Sequence, residues 1–122
     1  MAEDGFVHLH VHSEFSLLDG ASRIPVLVER SARQGSEALA ITDHGAMYGV
    51  VPFVLEAKKA GIKPIIGTEF YLTSGSRFSR NPSRDERNYH LLLLAEDLEG
   101  YRNLMKLVSI SYIDGYYYKP SA

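Results

Sequence analysis

Between Phe6 and His12 the chain alternates without a break, with Val7, Leu9 and Val11 on one side and His8, His10 and His12 on the other. That period of two predicts a strand whose polar face carries three histidines. After a turn holding Asp19-Gly20 the period changes. From about Ile24 to Gln34, the residues Ile24, Leu27, Val28 and Ala32 recur at helical spacing, with Ser22 as a candidate cap. Pro25 suits the first turn of that helix and Gly35 its stop. The apolar run Ala38 to Thr42 predicts a second strand, ending in Asp43-His44-Gly45. A second helix is expected from about Tyr48 to Ala60, with Val51, Val54 and Leu55 inward and Gly61 closing it. Lys63 to Leu72 and Tyr89 to Ala95 read as strands, the latter containing four consecutive leucines. Leu98 to Ser111 reads as a helix capped by Asp97, with Leu98, Tyr101, Met105 and Val108 as its apolar stripe. Tyr116 to Lys119 is expected to start a further strand, its tyrosines read as packing residues in preference to base-stacking ones.

Strands alternating with helices predict an α/β fold built on a mostly parallel sheet. The run Leu91 to Leu94 agrees, since strands of such sheets are covered on both faces. Thr73 to Asn88 breaks the rhythm: it holds Pro82 and sets Arg77, Arg80, Arg84 and Arg87 against Asp85 and Glu86. A long solvated loop is expected there, in preference to a phosphate-binding patch. No internal repeat or domain boundary interrupts the pattern.

Composition narrows the classes. With 122 residues and 45% hydrophobic content the chain can bury one core, as a domain or part of one. A net charge of -2 and a pI near 6.2 give no global basic field, so contact with DNA would be local or made by other sequence. The absence of cysteine excludes disulfides and thiolate zinc sites within this span. Met1 to Gly5 is acidic and precedes histidines, unlike a secretory leader, and no apolar run approaches the roughly 20 residues of a membrane helix. A soluble, cytoplasmic protein is expected.

His10 and His12 stand two apart on one strand face, with alpha carbons roughly 6.6 Å apart, so both rings can lean toward one ion. The spacing alone leaves two readings open: metal ligands, or strand histidines hydrogen-bonded to neighbours. Other ligand types tip the balance. In parallel barrels the functional rim lies at the carboxyl ends of the strands. His12 ends the first predicted strand, Asp19 follows it, Asp43-His44 ends the second, and Glu69 lies toward the end of the third. Imidazoles with carboxylates suit zinc, manganese or iron, whereas magnesium and calcium prefer oxygen shells. His8 lies one layer deeper and is expected to be structural.

Phe6 to Gly20, Ala40-Ile41-Thr42-Asp43-His44-Gly45 and Gly61 to Glu69 resemble, in order, three motifs of the PHP domain found in the alpha subunit of bacterial DNA polymerase III. His90 to Ala95, Gly100 to Leu104 and Tyr117 to Pro120 continue the resemblance over nearly the whole chain. It implies a distorted seven-stranded TIM-like (βα) barrel with up to three metal ions at its rim. Position by position it implies His10, His12, Asp19, His44, Glu69 and His90 as metal ligands, with Asp43 supporting them from behind. His90 rests on the resemblance alone, because it falls near the start of its predicted strand.

His10, His44 and Glu69 are the candidate catalytic residues, with ligand and proton-carrier roles both open for the two histidines. The implied activity is metal-dependent phosphodiester hydrolysis of the 3′ to 5′ exonuclease type, serving proofreading in DNA replication. A complete barrel needs roughly twice this length. The resemblance therefore places its remaining ligands, and a magnesium-dependent polymerase core for nucleotidyl transfer, outside this chain. DNA and the other polymerase III holoenzyme subunits are the implied partners. A non-catalytic interaction module and a free-standing PHP phosphoesterase are the alternatives. Half a barrel would leave an unpaired strand edge, so self-association or low stability of this segment is expected.

Overall fold

The computed structural model describes residues 5–16, 19–73, 76, 78 and 88–115. The elements run α1 (Ile24–Arg33), β1 (Ala38–Ile41), α2 (Val50–Ala60), β2 (Lys63–Thr73), β3 (Asn88–Leu94) and α3 (Leu98–Ile113). The strands form one sheet in the order β1-β2-β3. The arginine-rich loop and the Tyr116 to Lys119 strand expected from the sequence lie outside the described residues, apart from isolated loop positions.

β1 and β2 are parallel, joined by α2 as a crossover, with Ala38 opposite Lys63 and Ile41 opposite Ile66. All four residues of β1 are buried although it stands at one end of the strand order, because the segment before α1 lies alongside it. β2 and β3 are antiparallel, with Gly67 opposite Leu94 and Tyr71 opposite His90. The expectation of a mostly parallel sheet therefore fails at β3. The sequence predicts no helix between β2 and β3, whereas a parallel return usually uses one as its crossover. Leu91 and Leu94 remain partly exposed, so the leucine run is not covered on both faces as expected.

Ile24, Val28, Leu39, Ile41, Phe53 and Ile62 make the core between the helices and the sheet, with Val11, Phe15 and Ile66 packed against it. Val50, Phe53 and Ala57 form the buried stripe of α2, while Val51 and Leu55 are exposed, contrary to the stripe expected from the sequence. Apolar residues cover most of this helix, so periodicity alone did not choose its inner face. The same holds for α3, where Leu104 and Ser111 are buried and Leu98 and Met105 are not. Asp97 does cap α3, its Oδ1 accepting from Gly100 N at 2.8 Å. Arg23, and not Ser22, occupies the cap position of α1 without a side-chain bond. Ser22 instead accepts from Glu14 N at 2.8 Å through its carbonyl. Gly61 ends α2 in the left-handed region at φ 72°.

The segment from Phe6 to His12 is extended beside β1 but forms no regular ladder. Ala40 N donates to His8 O at 3.0 Å and Thr42 N to Val11 O at 2.8 Å. The four residues His8 to Val11 thus face the three residues Ala40 to Thr42, and the slip breaks the alternation that predicted a strand. Phe6 and Leu9 are exposed as a result, while Val11 reaches the core.

Candidate metal centre

Thr42, Asp43 and His44 follow β1 and each grips the histidine-bearing segment. Thr42 Oγ1 accepts from Val11 N at 2.8 Å and donates to Val11 O at 3.2 Å, supplying the bonds that an unbroken ladder would have made. Asp43 accepts from Ser13 N at 2.5 Å and from Ser13 Oγ at 2.7 Å. His44 N donates to Ser16 Oγ at 3.1 Å, and Ser16 Oγ donates to Asp19 Oδ1 at 3.0 Å. Backbone bonds from Glu69 N to Asp43 O and from Gly45 N to Glu69 O resume the parallel pairing three residues beyond the end of β1, setting His44 beside Glu69. Gly20 lets the loop close: a Cβ there would lie 1.8 Å from Ser13 O.

Two carboxylates organise four imidazoles. Glu69 Oε2 lies 2.6 Å from both His10 Nε2 and His12 Nε2, and Glu69 Oε1 lies 2.8 Å from His90 Nδ1. Asp19 Oδ2 lies 2.5 Å from His44 Nε2 and 3.4 Å from His12 Nδ1. The donor atoms fall into three sets, each mutually within 4.8 Å: His10, His12 and Glu69; His12, Asp19 and His44; His44, Glu69 and His90. All six expected ligand residues therefore come to one rim. His90 does so because β3 is antiparallel, which brings the start of that strand to the end of β2. His8 stays outside the cluster, its ring packed edgewise on Phe6 but exposed, not one layer deeper as the alternation suggested.

The electrostatics follow from this crowding. Burial pushes the Glu69 carboxyl up, but hydrogen bonds from His10, His90 and His12 and the nearby charge of His44 outweigh it and hold it at about 2. Burial also opposes ionisation of Asp19, yet Ser16, His44 and His12 together keep its carboxyl below the ordinary range. Asp43 is raised, burial outweighing its two bonds from Ser13.

The donor set fits divalent cations. His44 Nδ1 is buried, 3.7 Å from Glu69 Oε2, and without a hydrogen-bond partner among the described residues. A buried imidazole nitrogen left unpaired beside a carboxylate is a costly arrangement that a bound cation would relieve.

Sequence reasoning missed Tyr71. Its ring lies nearly parallel to that of His44, with centroids 5.7 Å apart and planes inclined by 12°, and meets His90 edge-on at 5.3 Å. Burial raises its hydroxyl pKa, and Asp19 and Glu69 add to the effect. The available clue was its position two residues after Glu69, on the same strand face. Ser13 and Ser16 were missed too, because only the fold brings them to Asp43 and His44.

Residues 8–122 match the PHP domain family. The chain belongs to that family. It is 49% identical to the DNA polymerase III subunit alpha of Borreliella burgdorferi over 116 residues, which cover 94% of this chain and 10% of the relative. It is 53% identical to that of Treponema pallidum over 121 residues, covering 98% of this chain and 10% of the relative. The PHP segment thus spans about a tenth of the length of these relatives. Among solved structures, an amidohydrolase from Chromobacterium violaceum with bound sulfate and no metal superposes with TM-score 0.57 at 24% identity, covering 83% of this chain and 32% of that one. A putative metal-dependent phosphoesterase from Bifidobacterium adolescentis gives TM-score 0.53 at 20% identity, covering 86% of this chain and 32% of that one. These likenesses agree with part of a TIM-like barrel. Among the described residues, no helix is long and apolar enough to cross a membrane.

Proposed function

We propose that this PHP segment belongs to the alpha subunit of a bacterial replicative DNA polymerase III, working in the cytoplasm, and contributes a multi-metal centre that hydrolyses phosphodiester bonds at DNA 3′ ends. The observation that carries the reading is Glu69, whose two carboxylate oxygens meet three histidines from two separate parts of the chain. The similarity to polymerase III alpha subunits supports the replicative setting, with DNA and the other holoenzyme subunits as partners.

His10, His12 and Glu69 offer one ion site, His12, Asp19 and His44 a second, and His44, Glu69 and His90 a third; since a neutral imidazole would ligate one ion only, His12 and His44 would each serve one of the two sets they share. The mixed nitrogen and oxygen donors favour zinc, manganese or iron over magnesium. Such ions, when bound, supply Lewis acidity toward water and phosphate oxygens. The side chains do the rest. Glu69 and Asp19 hold negative charge that keeps neighbouring imidazoles oriented inward. His10, with its side chain 55% exposed, can exchange a proton with solvent, whereas His44 at 15% is enclosed and better suited to holding an ion. Asp43 fixes Ser13, and through it the backbone next to His12.

The test compares the alpha subunit carrying this segment with its His10→Ala and Glu69→Ala variants. Metal content and shortening of a 3′-labelled single strand are both measured. Both should fall in both variants; unchanged values would refute the catalytic reading. Metal loss with no hydrolysis by the unaltered subunit would establish a scaffold role in its place.

A further inference from the structure

Histidines that bind metals are ordinarily oriented by an outer partner: one ring nitrogen faces the ion and the other donates to a carboxylate or carbonyl behind it. His44 has no such arrangement. Its Nε2 is engaged by Asp19 at 2.5 Å, its Nδ1 points toward Glu69 at 3.7 Å, and both partners belong to the cluster itself. Neither nitrogen is left to anchor the ring from outside. Apart from these contacts within the cluster, the ring is held by packing against its faces and edges.

Three rings pack there. His12 lies with its centroid 4.1 Å away at a 48° tilt, and His90 meets His44 edge-on at 5.3 Å. Both are members of the donor sets. Tyr71 is the third, nearly parallel to His44, and it also meets His90 edge-on at 88°. Offset-parallel and edge-to-face arrangements at these separations are the favoured ones for π systems. Tyr71 is also opposite His90 in the β2–β3 ladder, so its own direction is fixed by the sheet.

We infer that Tyr71 is a positioning residue, whose ring sets the orientation of His44 and His90 and so takes the place of the missing outer hydrogen-bond partner. Its relevance to ion binding rests on the metal-centre reading above, but its effect on the two imidazoles does not. The aromatic ring is the working part, so phenylalanine should substitute for it and an aliphatic side chain should not.

The experiment records side-chain NMR signals of His44 and His90 in the metal-free chain, for the unaltered protein, Tyr71→Phe and Tyr71→Leu. Leucine keeps apolar bulk on the strand without a ring, and signals from Phe53 and Ala57 report that the core is intact. Tyr71→Leu should move and broaden both imidazole signals, and Tyr71→Phe should leave them within the spread of the unaltered protein. Calorimetric titration with zinc alone should then show affinity lowered about 10- to 100-fold in Tyr71→Leu, as for loss of an outer-shell partner, and nearly restored in Tyr71→Phe. Imidazole signals unmoved in Tyr71→Leu would overturn the inference, as would equal disturbance in both variants. If the unaltered chain takes up no zinc, the metal reading fails, while the spectra still decide the role of Tyr71.

Discussion

Glu69 and His90 are diagonal neighbours across the antiparallel β2–β3 pair: His90 stands opposite Tyr71, Glu69 opposite Leu92, and His90 Nδ1 reaches Glu69 Oε1 at 2.8 Å. The register places both side chains on one face of the sheet. With His10 and His12 approaching from the first segment, Glu69 becomes the point where the two halves of the rim are tied together.

That tie gives a pH dependence with a definite sign. The Glu69 carboxyl is held at about 2 against an ordinary value of 4.5, so the metal-free fold gains stability that is fully present above about 4.5. It is lost as pH falls through about 2, and amounts to about 3 kcal/mol for a shift of this size. The difference in melting temperature between the unaltered chain and Glu69→Gln should therefore be large at pH 6 and shrink steadily below about pH 4.5. A difference that stays constant over that range would rule out the assigned pairing.

Asp43 should matter without touching an ion. Replacing it with alanine strands the buried Ser13 N–H and hydroxyl, at a cost of about 2–4 kcal/mol. Because Ser13 adjoins His12, zinc affinity should also drop in Asp43→Ala, as measured by calorimetry. Unchanged unfolding by urea would show that the Ser13 contacts are dispensable.

Gly20 is fixed by space. A Cβ would fall 1.8 Å from Ser13 O, a backbone atom that cannot swing aside. Gly20→Ala should cost about 1–3 kcal/mol, as overpacking does, and should displace Asp19 from His44. Denaturant midpoints for this variant indistinguishable from those of the unaltered chain would contradict the loop geometry.

Much of the site was legible because it follows strand ends. Asp19, His44 and Glu69 were placed by the rule that parallel strands present their carboxyl ends to one rim, and His10 and His12 by alternation. His90 was not, since its position near the start of a strand counts against it until the strand is known to run backwards. The absence of a helical pattern between Thr73 and Asn88 held that information, but the leucine run argued for a parallel, buried strand. The first segment misled in the opposite direction: its alternation is flawless, yet the slip between His8 and Val11 is set by Thr42, thirty-one residues from Val11. The buried faces of α2 and α3 were misjudged for a simpler reason, an apolar character too evenly spread to choose a side.

β3 closes the described sheet on one side, with Tyr89, Leu91 and Leu94 partly exposed. Such an edge pairs readily with another chain. This segment by itself should self-associate at high micromolar concentration in sedimentation velocity, and Leu91→Lys should shift it toward monomer. A monomeric chain with a single cooperative melt would contradict the prediction.

The most direct test of a metal centre built on Glu69 and Asp19 is the count of ions bound per chain. Mass spectrometry of metals on desalted protein, after exposure to zinc or manganese, should find bound metal in the unaltered chain. The amount should fall in Glu69→Gln and fall again when Asp19→Asn is added. Equal metal content in all three, or none in the unaltered chain, would contradict the account.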